Sequence, residues 1–529
     1  MGLTPTPSVP VAPRKSGFSG EHWLAGGMVF VLAIALFKLA LHWTFNNRFG
    51  YFRDEFDYLA CGDHPAWGYV DQPPLIPMLA KLSRMLLGDS LRAVRFLPAL
   101  ASSALVVLSA LIAREFGGRR FALVLTAVAI LASPIYLSDG SLLTTNCLEP
   151  LFWMGAVTCA IKAVNRNDPQ YWLWFGVIAG IGLEEKYSIG VLGLGIVAGL
   201  LISGRWRTFT NRWIWMGGAA AFVIFLPNLI WNMENQWPFL QLMRNIKAEG
   251  RDIAVGPVEF FAQQVLLIHP LAAPIWILGL IAFLAAPRFK QYRFLGWCYV
   301  VVFAFFFAAK GKNYYLAPIY PMLLAAGAVM IENALELRRR VAWLKPVIVG
   351  ILLASGAWLA PIVIPIFPVE ETLSYLNRLP FEVPRTEKSH ASAALPQHYA
   401  DQFGWEEMVA VAAQAWQKVP PEERADCVVF GQNYGQASAI DFLGRRYGLP
   451  PALSGHQTYY LWGPRGYSGN CLIVLDDRKE VLDRLFESVE YVGASDSPFA
   501  LEKHITVFLC RRAKFGSLEQ LWPRLRKWG

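Results

Sequence analysis

The sequence has little charge and few cysteines for a chain of 529 residues. Only 16% of its residues are Asp, Glu, Lys or Arg, whereas about 25% is ordinary in soluble proteins. Together with the high apolar content described next, this excludes a disordered chain and argues against a purely soluble enzyme. The seven cysteines include no C-x-x-C pair, so the sequence shows neither a zinc ribbon nor a redox motif. Because their number is odd, at least one thiol is free unless two chains are bridged.

Hydrophobic residues, by contrast, make up 55% of the chain and are concentrated in eleven apolar runs. Runs of about 20 apolar residues are typical of membrane-spanning helices. The first run has no small-residue cleavage site and is followed by ten more, so it does not resemble a cleaved signal peptide. The runs cover residues 24–43, 93–113, 121–137, 148–164, 171–184 (short for a span), 188–203, 213–231, 263–286, 294–309, 316–334 and 346–367.

The distribution of Lys and Arg predicts the orientation of these spans. If the N-terminus is cytoplasmic, the inner segments hold 16 positive residues, and the short outer loops hold only Lys186, Lys310 and Lys312. Cytoplasmic loops of membrane proteins carry this excess. It also accounts for the net charge of +9, so no nucleic-acid partner is expected. We therefore expect a multi-pass membrane protein with its N-terminus inside and everything after about residue 368 outside.

This pattern predicts three regions: a cytoplasmic tail (1–22), a polytopic α-helical membrane part (23–367) and a small extracytoplasmic α/β domain (368–529). The long first outer loop, 44–92, contains an amphipathic segment around 75–87 that is typical of an interfacial helix. In the outer domain, short apolar segments alternate with helical patterns. The segments are 427–430, 472–475 and 505–509, and the helical patterns lie near 405–417, 435–447 and 478–486.

Acidic residues follow the first span directly, in the order Arg53, Asp54, Glu55 and Asp57. A carboxylate at the low-dielectric edge of a bilayer is suited to act as a general base, because desolvation raises its pKa toward the working range. The alternative is a solvated loop or a helix N-terminus, where acidic residues are common.

The second and third outer loops contain further polar residues at the ends of spans. Asn146 and Glu149 belong to the second loop, and Lys186 follows two glutamates in the third. Glu149 is either a functional residue that faces a cavity or a side chain that reaches to the interface. Lys186 is suited to bind an anion such as a lipid phosphate, or it pairs with Glu184 or Glu185.

The fifth outer loop brings Lys312, Tyr314 and Tyr315 to the membrane surface together. Lysine supplies positive charge and tyrosine a hydroxyl donor, both suited to a phosphate; tyrosine is also common at membrane interfaces. The turn Gly431–Gly435 is either an anion-binding turn or a plain strand-to-helix turn. No His or Cys residues gather at metal-ligand spacing, so no metal site is predicted.

Taken together, these residues resemble those of a family, the GT-C glycosyltransferases that use lipid-phosphate sugars. It is most similar to their bacterial family-39-like branch, which is related to protein O-mannosyltransferases and akin to the lipid A aminoarabinose transferases. The resemblance covers about residues 20–367. It is carried by Arg53-Asp54-Glu55, by Pro73-Pro74-Leu75, by Lys186 and by the segment from Lys312 to Pro318.

The resemblance implies a function and roles for residues. Asp54 would be the catalytic carboxylate with Glu55 as its neighbour, and Lys186 and Tyr315 would contact the donor phosphate. Two departures stand out. Thr145 is followed by Asn146 where many relatives have an acidic residue, with Glu149 as a possible substitute. Gln72 replaces the lysine that the aminoarabinose transferases carry. The candidate phosphate contacts are Lys186, Tyr315, Tyr314, Lys312 and Arg53.

The resemblance implies an inverting transfer of a sugar from a polyprenyl-phosphate donor to an envelope glycolipid, glycan or protein at the outer face of the bacterial inner (cytoplasmic) membrane. Besides membrane lipids, the donor and this acceptor are the expected partners. No cofactor is predicted, although a divalent metal stays possible. The main alternative is a transporter or flippase of lipid-linked sugars, which predicts broken helices and repeated halves. A second alternative is a membrane-anchored sensor whose function lies in the outer domain, but it gives no reason for eleven spans.

Overall fold

The computed structural model describes residues 27–250, 253, 255–384, 388 and 393–528. The predicted cytoplasmic tail and the start of the first apolar run lie outside the described residues. The described chain forms a large helical part followed by a smaller part that contains a β-sheet.

The helical part contains sixteen α-helices among the described residues. In chain order they are α1 (Val29–Phe45), α2 (Arg53–Asp63), α3 (Leu75–Leu87), α4 (Leu91–Glu115), α5 (Arg120–Ala132), α6 (Pro134–Asp139), α7 (Glu149–Asn165), α8 (Tyr171–Leu183), α9 (Ile189–Ile202), α10 (Arg212–Glu234), α11 (Pro238–Glu249), α12 (Pro257–Ile268), α13 (Ala273–Ala285), α14 (Arg293–Ala308), α15 (Tyr320–Leu337) and α16 (Leu344–Leu359). Short 3-10 helices lie at Trp206–Thr210, Pro270–Ala272, Pro287–Tyr292, Asn313–Ile319, Arg339–Val341 and Ala360–Ile362.

Each predicted apolar run coincides with one of these helices or with a consecutive pair, so the predicted helical membrane part is confirmed. By length and composition, five helical segments of the described chain are long enough to cross a membrane by themselves. Several other runs form shorter apolar helices, such as the 13-residue α8. The five are Leu91–Glu115, Arg212–Glu234, Pro287–Ala308, Asn313–Leu337 and Leu344–Ile362.

The predicted single span at 263–286 is wrong in one respect: it is two helices, α12 and α13, bent by 99°. The break falls at His269, whose φ of 141° and ψ of 125° are far from helical values. Pro270 explains it, because proline disfavours a helical conformation at the preceding residue and donates no backbone hydrogen bond itself. The His269 ring instead accepts a hydrogen bond from the backbone N–H of Leu271 at 3.0 Å.

Glycines allow close packing between the long helices. A Cβ atom on Gly279 of α13 would lie 1.9 Å from the carbonyl oxygen of Leu323, and one on Gly327 of α15 would lie 1.8 Å from that of Ile275. The two helices therefore approach with their backbones in contact, as small residues permit in membrane proteins. This packing fixes α15 and the segment that precedes it, which forms one wall of the site described below.

Helix α3 has the two faces of an interfacial helix. Ile76 and Ala80 are buried, whereas Met78, Leu82 and Met85 are exposed. Its first backbone N–H, of Leu75, donates to the carbonyl of Glu184 at 2.9 Å, which ties the first outer loop to the third. The segment predicted around 75–87 is thus a helix with exposed apolar residues suited to a lipid surface.

The C-terminal part contains a four-stranded sheet in the order β1-β2-β4-β3, with β1 parallel to β2 and the other pairs antiparallel. Its strands are β1 (Cys427–Phe430), β2 (Cys471–Leu475), β3 (Phe486–Asp496) and β4 (His504–Ala513), and its helices are α17 (Val369–Leu376), α18 (Gln397–Ala400), α19 (Trp405–Gln417), α20 (Tyr434–Leu443), α21 (Gln457–Leu461), α22 (Lys479–Leu485) and α23 (Leu518–Leu521). A disulfide joins Cys427 and Cys471, which are register partners on β1 and β2. The small α/β fold predicted here is confirmed, and β3 is a strand that the sequence pattern did not predict.

Candidate active site

A cavity of about 1170 Å³ lies between the helical part and the C-terminal part. Its wall contains polar and charged side chains from several separate stretches of the chain. Its polar lining residues include Arg53, Asp54, Tyr58, Asp139, Thr144, Asn146, Lys312, Asn313, Tyr314, His398 and Tyr434, and residues of the segments 376–384 and 394–398 line one side.

Asp54 lies in the first turn of α2 and opens to this cavity. Its side chain is 29% exposed. One carboxylate oxygen, Oδ1, accepts a hydrogen bond from the Tyr434 hydroxyl at 2.6 Å and faces the Arg53 Nε at 3.4 Å. Among the residues that the structure describes, none donates a hydrogen bond to Oδ2. The carboxylate is therefore held on one oxygen, which leaves the other suited to receive a proton.

Glu55, the neighbour of Asp54, points away from the cavity and is fully buried. Its carboxylate accepts hydrogen bonds from Arg95 Nε at 2.8 Å and from Arg95 Nη2 at 2.7 Å. It also accepts from the backbone N–H groups of Phe52 at 2.8 Å and Leu143 at 3.0 Å. This bidentate pair and the cap on α2 are structural, so Glu55 has no access to a substrate in the cavity.

Two further carboxyl groups lie behind Asp54. Burial raises the pKa of Asp57 well above its usual range, with Asp71 and Asp54 adding to the effect. Burial, followed by the charge of Asp54, raises the pKa of Asp71 to about 7. Gln72 donates a hydrogen bond from Nε2 to Asp57 Oδ2 at 3.3 Å. Gln72, which stands where the aminoarabinose transferases carry a lysine, is therefore a buried hydrogen-bond partner of one of these carboxyl groups. It does not line the cavity.

Lys186 forms an ion pair across two outer loops. Its ammonium contacts Glu149 Oε2 at 2.9 Å and also donates to Asn146 Oδ1. Glu149 additionally accepts a hydrogen bond from the Ser188 hydroxyl. Burial by itself would lower the pKa of Lys186, but the charge and hydrogen bond of Glu149, together with Tyr315 and Glu185, outweigh it, and the pKa is raised. The hydrogen-bonded partner is thus Glu149, in place of the Glu184 or Glu185 considered from the sequence.

Of this network only Asn146 lines the cavity; Lys186 and Glu149 lie behind its wall. The Lys186 ammonium lies 4.8 Å from the ring centre of Tyr315 and 5.6 Å from that of Tyr314. Cations over aromatic faces are stabilised in this way. Lys186 and Tyr315 therefore support the cavity wall, and Tyr314 is the tyrosine that reaches its surface.

The fifth outer loop supplies Lys312, Asn313 and Tyr314 to the cavity. It is positioned by the first half of the bent pair. Gln263 accepts a hydrogen bond from the Asn313 side chain at 2.8 Å, and Gln264 donates to the Asn313 carbonyl at 2.9 Å. The bend at His269 thus places α12 where it holds a wall of the site.

Tyr434 and the segments 376–384 and 394–398 are functional candidates that the sequence did not reveal. Tyr434 lies within the turn Gly431–Gly435 and is the first residue of α20. In that turn Asn433 accepts from the Gln436 backbone N–H at 3.0 Å, so its own side chain caps the helix. This favours the plain strand-to-helix turn over the anion-binding one.

Among the described residues, no group of three or more His, Cys, Asp or Glu side chains is arranged to hold a metal ion. The cavity instead offers the partly exposed Asp54 carboxylate, with those of Asp139 and Glu382 also in its lining, beside hydroxyl, amide and ammonium donors. Such a set suits proton transfer together with the binding of an anionic group.

The comparisons with known proteins agree with this geometry. Residues 71–231 match the family model described as dolichyl-phosphate-mannose-protein mannosyltransferase. Curated proteins give no significant sequence match. The fold is similar to that of ArnT from Cupriavidus metallidurans in a crystal structure bound to undecaprenyl phosphate, with a TM-score of 0.62, 15% identity, and coverage of 92% of this chain and 98% of that one.

Two other solved structures extend the comparison. The apo state of the same ArnT gives a TM-score of 0.59 at 16% identity, covering 92% of this chain and 98% of that one. An oligosaccharyltransferase of Archaeoglobus fulgidus, solved in a complex with Zn and sulfate, gives a TM-score of 0.51 at 15% identity and covers 80% of this chain and 62% of that one. At these identities the likeness establishes the fold.

The predicted GT-C fold is therefore confirmed. The predicted enzyme class, a glycosyltransferase, agrees with the mannosyltransferase family model that matches residues 71–231. The matched segment 71–231 contains Asn146, Glu149 and Lys186. Asp54 precedes it and Tyr314 follows it, so their roles are argued from the cavity alone.

Proposed function

We propose that the protein moves a sugar from a polyprenyl-phosphate donor to an envelope glycolipid, glycan or protein. The observation that carries this proposal is the cavity in which Asp54, partly exposed, faces the same space as Lys312 and Tyr314. A base and a set of phosphate-binding donors are the two things that such a transfer requires.

In the proposed reaction an acceptor hydroxyl or amine attacks the anomeric carbon of the donor sugar. Asp54 takes the acceptor proton as the new bond forms. The bond between the anomeric carbon and the phosphate oxygen breaks, and the phosphate leaves with the electron pair. A single displacement of this kind inverts the anomeric centre.

The donor phosphate would be bound by side chains on the cavity wall. Lys312 and Tyr314 reach that wall, and Arg53 lies beside Asp54. Their positive charge and hydroxyl group stabilise the negative charge that develops on the leaving phosphate. Lys186 and Tyr315 act one layer behind, through their contacts with Asn146 and Tyr314.

We expect Lys186→Ala to lower kcat/KM for the lipid donor more than Glu149→Gln does. Loss of the ammonium removes positive charge near the phosphate site, whereas Glu149→Gln keeps the ammonium and removes only its counter-charge. Kinetics on purified protein, with melting temperatures for both variants, measure the difference. If Lys186→Ala only lowers the melting temperature and leaves KM and kcat unchanged, Lys186 has no part in donor binding.

The proposed orientation places the C-terminal part outside the cytoplasm. Its support is the excess of Lys and Arg in the predicted inner loops and the disulfide between Cys427 and Cys471, because disulfides persist in oxidising compartments. A reporter that works only outside the cytoplasm should therefore be active when it is fused after the C-terminus. Activity of a cytoplasm-only reporter at this position would contradict the orientation.

The transporter alternative predicts broken helices, and one is present at His269. In this fold, however, the broken pair positions Asn313 at the cavity through Gln263 and Gln264. A transferase needs such a fixed wall, so this break is explained without alternating access.

The two functions differ in their products. Mass spectrometry can compare the envelope glycolipids, glycans and glycoproteins of cells with and without the gene. A transferase predicts one missing sugar on one class of acceptor and its return on complementation with the wild-type gene but not with Asp54→Asn. A sugar restored equally by both forms would contradict the proposed function.

A further inference from the structure

The C-terminal part contributes a side chain directly to the candidate base. Tyr434 is separated from Asp54 by 380 positions, yet its hydroxyl donates a hydrogen bond to Asp54 Oδ1 at 2.6 Å. Tyr434 is buried to all but 9% of its surface and is the first residue of α20. This bond crosses from the sheet-containing part to the helical part inside the cavity.

Several contacts fix the Tyr434 ring in place. It stacks on the ring of His456 with centroids 5.2 Å apart and an angle of 15° between the planes. The Tyr434 backbone N–H donates to His456 Nδ1 at 3.3 Å. The Arg53 guanidinium also lies 5.4 Å from the ring centre. The hydroxyl is therefore presented to Asp54 by a ring with little freedom to turn.

The close approach of the two parts depends on a glycine. A Cβ atom on Gly435 would lie 2.5 Å from Cγ of Arg53, so any larger residue would displace the arginine. Arg53 is also tied to the C-terminal part by its backbone N–H, which donates to the Asp401 carbonyl at 3.0 Å. The start of α2 is thus held by α20 and by the segment before α19.

We propose that Tyr434 is a positioning residue for the glycosyl transfer, holding one oxygen of Asp54 and turning the other toward the acceptor. The inference rests on the proposed function, in which Asp54 is the general base. It also gives the C-terminal part a role in the reaction, since without that part the base lacks its hydrogen-bond donor.

The sign of the expected pH effect follows from the direction of the hydrogen bond. A donor to a carboxylate stabilises the charged form, and the base is active only when charged. Removing the Tyr434 hydroxyl should therefore move the acidic limb of the pH–rate profile to higher pH. The other groups whose charges act on Asp54 stay in place in this variant: Arg53, Asp57, Tyr58, Asp71 and Asp401.

Tyr434→Phe tests the proposal, because phenylalanine retains the stacked ring and removes only the hydroxyl. The matched control is Tyr459→Phe, which removes a similar hydroxyl-to-carboxylate bond, from Tyr459 to Asp441 Oδ2 at 2.7 Å, outside the cavity. We expect Tyr434→Phe to lower kcat by about ten- to a hundredfold, as for a hydrogen bond to a charged group. The acidic limb should move upward only in this variant.

Combining the substitution with Asp54→Asn separates the possible failures. If Tyr434 acts through Asp54, the double variant is no slower than Asp54→Asn alone. A wild-type pH profile for Tyr434→Phe beside an inactive Asp54→Asn would overturn the positioning role and leave the base intact. An active Asp54→Asn would overturn the proposed base itself. Equal profile shifts in Tyr434→Phe and Tyr459→Phe would show a general effect of the C-terminal part, which also contradicts the proposal.

Discussion

Purified Asp54→Asn protein should insert and fold normally but transfer sugar about 10²–10⁴ times more slowly, the usual cost of losing a general base. Asparagine keeps the size of the side chain and its Oδ1 acceptor for the Tyr434 hydroxyl. It cannot take a proton from the acceptor. Because the side chain is partly exposed in a cavity, the change should leave the free energy of unfolding nearly unchanged.

Initial rates with saturating lipid donor and acceptor measure this effect. A circular dichroism spectrum and a melting temperature in detergent verify the fold. The account predicts a loss in kcat with little change in donor KM, since Asp54 interacts with the acceptor proton in the transition state. Turnover within a few fold of the wild type in well-folded protein would reject Asp54 as the base.

Glu55→Gln, at the adjacent position, should instead lower the stability of the protein and leave the rate of transfer nearly unchanged. The Glu55 carboxylate pairs with Arg95, which is itself 1% exposed. Removing one partner of a buried ion pair leaves the other charge uncompensated and typically costs about 3–5 kcal/mol. The amide also replaces an oxygen that accepts backbone hydrogen bonds with an NH₂ group that cannot. We expect a strongly lowered melting temperature, with near-normal kinetics in the fraction that stays folded.

The two neighbouring substitutions serve as controls for each other, since each exchanges one carboxylate for its amide. Thermal unfolding followed by tryptophan fluorescence and transfer kinetics are measured on both. A Glu55→Gln variant that is as stable as the wild type but inactive would contradict the structural role of Glu55. It would place this residue among the catalytic groups instead.

Much of the fold was predictable because the apolar runs are long and separated by charged loops. The bend at His269 was harder to predict, since the residues on both sides of Pro270 are equally apolar and the run reads as continuous. Strand β3 was missed for a related reason. It lies at the edge of the sheet, and nine of its eleven residues are partly or fully exposed, so no apolar segment marks it.

The candidate site was predictable only where its residues follow the ends of spans. Asp54, Asn146, Lys312 and Tyr314 were selected in this way, and all four line the cavity. The ion pair of Lys186 was not predictable, because Glu149 becomes its neighbour only when α7 packs beside α8.

The turn that contains Tyr434 was visible in the sequence, but nothing in it indicated a contact with Asp54. Its position opposite Asp54 follows from how the C-terminal part docks, and a strand-to-helix turn with one tyrosine is common in any α/β domain. The contact also depends on Gly435, whose missing side chain admits Arg53. A requirement of this kind becomes visible only when both partners are placed in space.

The most direct test of the account is a transfer assay with purified protein in lipid vesicles, a synthetic polyprenyl-phosphate sugar and an extract of envelope acceptors. The account predicts that free polyprenyl phosphate appears in step with a glycosylated acceptor whose new linkage has the inverted anomeric configuration, and that Asp54→Asn abolishes both. Movement of the intact lipid-linked sugar across the bilayer without its cleavage, at equal rates in both proteins, would contradict it.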